Sequence, residues 1–165
     1  MLRFTIAATV AALLLAPISA GAQAPAAPPA YGVGIGAEAA KKALAAAEAE
    51  ARKNNWTVAI AVVDSSAKLV AFTKIDGTQH ASVDIAIGKA VTANNFKRPT
   101  KALQDGIAQG GVNLRILGQP GVTPLEGGVP IVVDGKIVGA IGVSGVLSSQ
   151  DAECAMAGAA AAAAK

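Results

Sequence analysis

His80 is the only histidine in the chain, so any chemistry that needs an imidazole rests on it. It follows the turn-like run Asp76-Gly77-Thr78-Gln79 and stands four residues before Asp84. If the next helix begins early, the two share one face and offer a metal two ligands; the other reading is an exposed loop histidine. A hydrolytic triad needs a nucleophile, a base and an orienting acid, and here only His80 with Ser144 or Cys154 could supply one. Neither sits in a nucleophile elbow, so the chain shows no recognisable catalytic set. Cys154 is the sole cysteine, which excludes an intramolecular disulfide, a Cys-x-x-Cys pair and a cysteine-rich zinc site. It falls one turn into a predicted helix with no neighbouring cation to lower its pKa, and reads as a buried, inert thiol.

Two other patterns carry less. Lys97, Arg98 and Lys101 cluster, and taken alone they read as a solvated loop, with an anion site as the alternative. Gly32-Val33-Gly34-Ile35-Gly36 lacks the preceding strand that a dinucleotide-binding turn requires. The net charge is +3. Arg3 lies in a segment expected to be removed, so the mature chain would carry +3 less 1, about +2. That bias is too weak to imply a nucleic-acid partner.

The elements that must position these residues follow from pattern. Met1-Leu2-Arg3, the apolar run from Phe4 to Ile18 and the small residues ending at Ala22 have the order of a secretory signal. Residues 1–22 are therefore expected to be cleaved, leaving a periplasmic or secreted protein with no membrane span, since the run is short for one. Residues 23–36 read as a Pro/Ala/Gly-rich linker, and 37–165 as one domain. Glu38 to Asn54 repeats alanine on one face and predicts a helix. Thr57–Asp64 and Lys68–Asp76 predict a hairpin through Ser65-Ser66-Ala67.

Ser82 is placed to cap a helix to about Asn95, and Thr100 a shorter one to about Ala108. A glycine-rich connection follows, with a short strand predicted at Leu114–Leu117 and room for a site. Val129–Val133 and Lys136–Val143 flank Asp134-Gly135, the clearest hairpin turn in the chain. Ser148 with Asp151 is spaced as a capping box for a last helix from Gln150 to about Ala164. Strands joined by tight turns are antiparallel. The fold class is therefore α/β of the α+β type, an antiparallel sheet flanked by helices.

Several of these segments together resemble the GlcG/HbpS haem-binding family, a group that includes the C-terminal domain of PduO. They are residues 59–64 (Ala-Ile-Ala-Val-Val-Asp), Ile75-Asp76-Gly77, Ser82 through Ala90, Gly121 through Gly128, the hairpin Gly128 through Gly145, and Asp151-Ala152-Glu153-Cys154-Ala155. The resemblance spans roughly Glu38 to Ala160. It implies a profilin-like α/β/α domain, assembly into homo-oligomers and, for some members, binding of haem or a related tetrapyrrole. The histidine that haem-binding members carry in the first helix has no counterpart in residues 38–54.

On that resemblance the expected function is an exported haem-binding module. Haem would lie beside the glycine-rich Gly118 to Gly128 segment, which includes Gly121, with His80 or Thr123 near iron and Lys97 or Arg98 facing the propionates. The alternatives are a binder of a small organic acid or other cofactor in a catabolic pathway, and a purely structural oligomer.

Overall fold

The structure is a computed structural model that describes residues 27–164. The expected leader, 1–22, lies outside the described residues. Four helices and four strands follow in the order α1 (Ala37–Lys53), β1 (Ala59–Asp64), β2 (Leu69–Lys74), α2 (Ser82–Phe96), α3 (Lys101–Gln109), a 3-10 segment (Gly111–Gly118), β3 (Gly128–Val133), β4 (Lys136–Ser144) and α4 (Ser148–Ala163). The strands form one sheet in the order β2-β1-β4-β3, every neighbouring pair antiparallel. The Asp134-Gly135 turn has the positive φ at both positions that its sequence predicts, 48° and 73°.

Side chains of β1 alternate between two cores, as a strand buried on both faces requires. Ile60 and Val62 join Ile141, Val143 and Ile131 beneath α1 and α4. Ala59, Ala61 and Val63 face α2 on the other side. The result is three layers, with the sheet in the middle.

The two helical layers meet the sheet differently. α1 presents the buried stripe Ala40, Ala43, Ala47 and Ala51, and α4 comes so close that a Cβ on Gly158 would stand 2.7 Å from the Ala43 carbonyl oxygen. On the opposite face α2 packs through Ala86, Ala90 and Ala93. A Cβ on Gly142 there would collide with the Ala86 carbonyl oxygen. Backbone rests on backbone, and glycine is the residue that permits it.

Four local expectations need correcting. Residues 114–117 are not a strand; they belong to the 3-10 segment. Ser82 is the first helical residue rather than the cap, and its hydroxyl lies 3.3 Å from that of Ser144. Thr100 does occupy the cap position of α3 but makes no cap bond. Its hydroxyl instead accepts the Gly128 N–H at 2.9 Å, which ties α3 to the start of β3. α4 begins at Ser148, two residues before the predicted Gln150, and its cap is Leu147 rather than Ser148. Gln150 accepts the Leu147 N–H, and Asp151 accepts the Val146 N–H at 3.2 Å.

Candidate functional site

The C-terminal end of α2, the inner side of α3 and the 3-10 segment enclose an open cleft of about 440 Å³. From α2 and the residues after it come Phe96 and Arg98, and from α3 Ala102, Leu103 and Gly106. The 3-10 segment and the loop after it add Asn113, Arg115, Ile116 and Gln119. The volume falls in the range of small-molecule sites. Neither α3 nor the 3-10 segment buries a residue, so this wall lies on the body of the domain rather than in it. Two bonds hold the loop that follows: the Thr123 N–H donates to the Thr92 hydroxyl at 2.9 Å, and the Glu126 N–H donates to the Gln104 side chain at 2.8 Å.

Two arginines line the cleft, and among the described residues no carboxylate does. Arg98 spends its Nε on the Phe96 carbonyl at 3.0 Å, which fixes the side chain and leaves its terminal nitrogens. The remaining lining is apolar apart from two amides. Unneutralised guanidiniums beside an aromatic and branched aliphatic wall suit an anion with an apolar body, and arginine binds carboxylates with two parallel hydrogen bonds.

The structure distributes the residues singled out from sequence. Arg98 lines the cleft. Lys97, its neighbour, adopts φ 54° at the C-cap of α2 and places its ammonium 4.3 Å from the centre of the Tyr31 ring. Lys101 pairs with Asp105 at 2.8 Å. His80 is exposed at the far end of α2, whose 15 residues span roughly 22 Å. Thr123 packs its hydroxyl against Gly88, where a Cβ would collide with it, and Gly121 makes the adjacent turn with φ 73°. Arg98 therefore lies just past one end of α2, the Thr123 loop packs on its middle through Gly88 and Thr92, and His80 stands before the other end.

A separate buried cluster lies past the strand ends. Lys89 from α2 donates to the Val143 carbonyl at 2.9 Å and to the Asp151 carboxylate at 2.7 Å. Burial pulls the lysine below its ordinary value and pushes the aspartate above its own, and their mutual bond opposes both shifts. Gly127 makes room for the pair, since a Cβ there would stand 2.8 Å from both the Lys89 ammonium and the Asp151 Cβ.

A family model described as haem degrading protein HbpS-like matches residues 35–160. The chain belongs to the HbpS-like family. Among curated relatives, this HbpS-like chain is 43% identical over 101 residues to protein GlcG of Escherichia coli K12, covering 61% of this chain and 74% of GlcG. A double mutant of Streptomyces reticuli HbpS superposes with a TM-score of 0.70 at 34% identity, covering 87% of this chain and 97% of that one. A PduOC:heme complex superposes with a TM-score of 0.72 at 26% identity, covering 78% and 95%.

Sequence reasoning missed two parts of this HbpS-like domain's chemistry. Arg115 sits in the predicted strand Leu114–Leu117 and Asn113 just before it in the glycine-rich connection, and neither position by itself points to a cleft. The Lys89–Asp151 pair joins two segments that the family resemblance already contained, yet a lysine amid apolar helix residues gives no sign of its partner. The signal that could have found it is Lys89 standing on the face otherwise made of Ala86, Ala90 and Ala93.

Proposed function

We propose that this protein is an exported binding module for haem or a related tetrapyrrole, with the cleft between α2, α3 and the 3-10 segment as the ligand's seat. The observation that carries this reading is the pair Arg98 and Arg115 in a lining that, among the described residues, has no carboxylate. The propionates of a porphyrin match the guanidiniums, and its apolar ring edge matches Phe96, Leu103 and Ile116. The family description and the heme-bound structural neighbour favour this ligand class over other amphipathic acids. Bound haem would supply a redox-active iron; what this chain's residues supply is charge pairing and an apolar wall.

Titration of the purified protein with haemin, followed at the Soret band, tests the reading. Saturable binding that weakens in Arg115→Ala is expected, and the absence of any saturable spectral change would overturn it.

Assembly into a homo-oligomer belongs to the same proposal. Val112 and Leu117 stand 78% and 62% exposed on the wall that buries nothing, and a second copy would remove them from water. Light scattering is expected to give a multiple of the monomer mass; monomer alone across micromolar concentrations would refute it. Among the described residues no helix is long and apolar enough to cross a membrane.

The two guanidiniums also favour a second reading, a small organic acid serving a catabolic pathway. Calorimetry with small dicarboxylates separates it from the first.

A further inference from the structure

Among the described residues, the lining of the cleft includes none of the side chains that usually hold haem iron. Imidazole, thiolate, thioether and phenolate are the side chains that usually hold haem iron. His80, the chain's only imidazole, is exposed at the opposite end of α2 from Phe96 and Arg98. Cys154 is fully buried beneath the other face of the sheet, among the residues that α1 and α4 cover. Met156 projects from α4, 54% exposed, in that same layer. The Tyr31 hydroxyl donates to the Asn94 carbonyl at 2.8 Å, and the Lys97 ammonium stands over its ring. Thr123 is not among the residues that line the cleft, and its hydroxyl lies against Gly88 in the middle of α2.

We infer that the cleft recognises the carboxylate edge and apolar face of its ligand and is indifferent to the metal, so that its ligand class is carboxylated porphyrins with or without iron. This rests on the tetrapyrrole reading above and narrows it. Attraction comes from Arg98 and Arg115, which meet carboxylates at the rim, and from Phe96, Leu103 and Ile116, which cover one ring face. A coordination bond would select for iron. Charge pairing selects for free acids.

The consequence for affinity is specific. Removing the iron leaves every contact in place, whereas masking the two carboxylates as methyl esters removes the charge at both guanidiniums. A charge-assisted hydrogen bond held at a partly solvated site corresponds to about tenfold in affinity.

The test compares three probes on the unmodified mature protein: haemin, protoporphyrin IX and protoporphyrin IX dimethyl ester, followed by Soret absorbance and porphyrin fluorescence. Protoporphyrin IX is expected to bind within about threefold of haemin, and the dimethyl ester about tenfold or more weakly. Arg115→Gln, at an exposed position, should weaken both free acids alike, and His80→Ala should leave the haemin Soret band unmoved. Haemin binding tightly while protoporphyrin IX does not, or a shifted Soret band in His80→Ala, would overturn metal indifference and leave haem binding standing. Equal binding of acid and ester would overturn carboxylate recognition. Binding of none of the three would overturn the tetrapyrrole reading itself.

Discussion

The Lys89 ammonium and the Asp151 carboxylate, 62 residues apart in sequence, meet at 2.7 Å with 1% and 3% of their side chains exposed. The contact joins α2 on one face of the sheet to the first turn of α4 on the other. Taking both charges out of water is costly, and the bond between them offsets that cost only while both are present.

Removing one partner should therefore be severe. Lys89→Met is expected to cost about 3–5 kcal/mol, because it leaves the aspartate buried without its cation. Asp151→Asn keeps an acceptor for the Val146 N–H but strands the lysine. Urea unfolding of both single variants and the double variant checks this: the double variant should lose clearly less than the sum of the singles. Strict additivity would show that the pair is not coupled.

Gly142→Ala is expected to destabilise by about 3 kcal/mol, as an added methyl group forces α2 away from the sheet at Ala86 and Ala90. Gly118→Ala, where an added Cβ meets nothing within 4 Å, should change stability by no more than about 0.5 kcal/mol. Thermal unfolding of the two variants side by side decides whether the contact, rather than loss of glycine as such, is responsible.

Cys154 titrates abnormally because burial, and after it the nearby Asp151 charge, disfavours its thiolate and pushes the thiol to about 12. Its folded value lies above the unfolded one of 9.0, so the fold binds the proton more firmly. That contribution is complete below pH 9 and is lost as pH rises from 9 toward 12. At pH 8 the native protein should resist an aromatic disulfide reagent and release one equivalent of thiol in urea. Rapid labelling without denaturant would contradict a buried thiol.

Cleavage after Ala22 is proposed from the basic, apolar and small-residue order of the first 22 residues. Mass spectrometry of protein recovered from the periplasm or medium should return a chain starting at Gln23. A full-length mass, or retention in the inner membrane, would remove the basis for export.

Legibility differed between fold and site for physical reasons. The Asp134-Gly135 hairpin and the alanine stripe of α1 are local signals, in which turn chemistry and helical period act over a few residues, and both stand where the pattern places them. Arg98 was visible as part of a basic cluster, but what separates it from Lys97 is the left-handed φ of 54° at Lys97, which no composition reveals. Arg115 was hidden because Leu114-Arg115-Ile116-Leu117 alternates too weakly to distinguish strand from 3-10 turn. Ser82 and Thr100 do stand at helix starts, to within a residue of the cap position the sequence predicts. Their hydroxyls go instead to Ser144 and Gly128, partners about thirty or more residues away that only the folded sheet brings near.

The wall formed by α3 and the 3-10 segment buries no residue, whereas α2 lies backbone to backbone on the sheet. Regions with so little burial open by local fluctuation, at free energies well below that of global unfolding. Amide hydrogens over 101–118 should then exchange with solvent long before those of α2. A ligand seated in the cleft would register as slowed exchange confined to that stretch, against a floor at α2 that exchanges slowly with or without it.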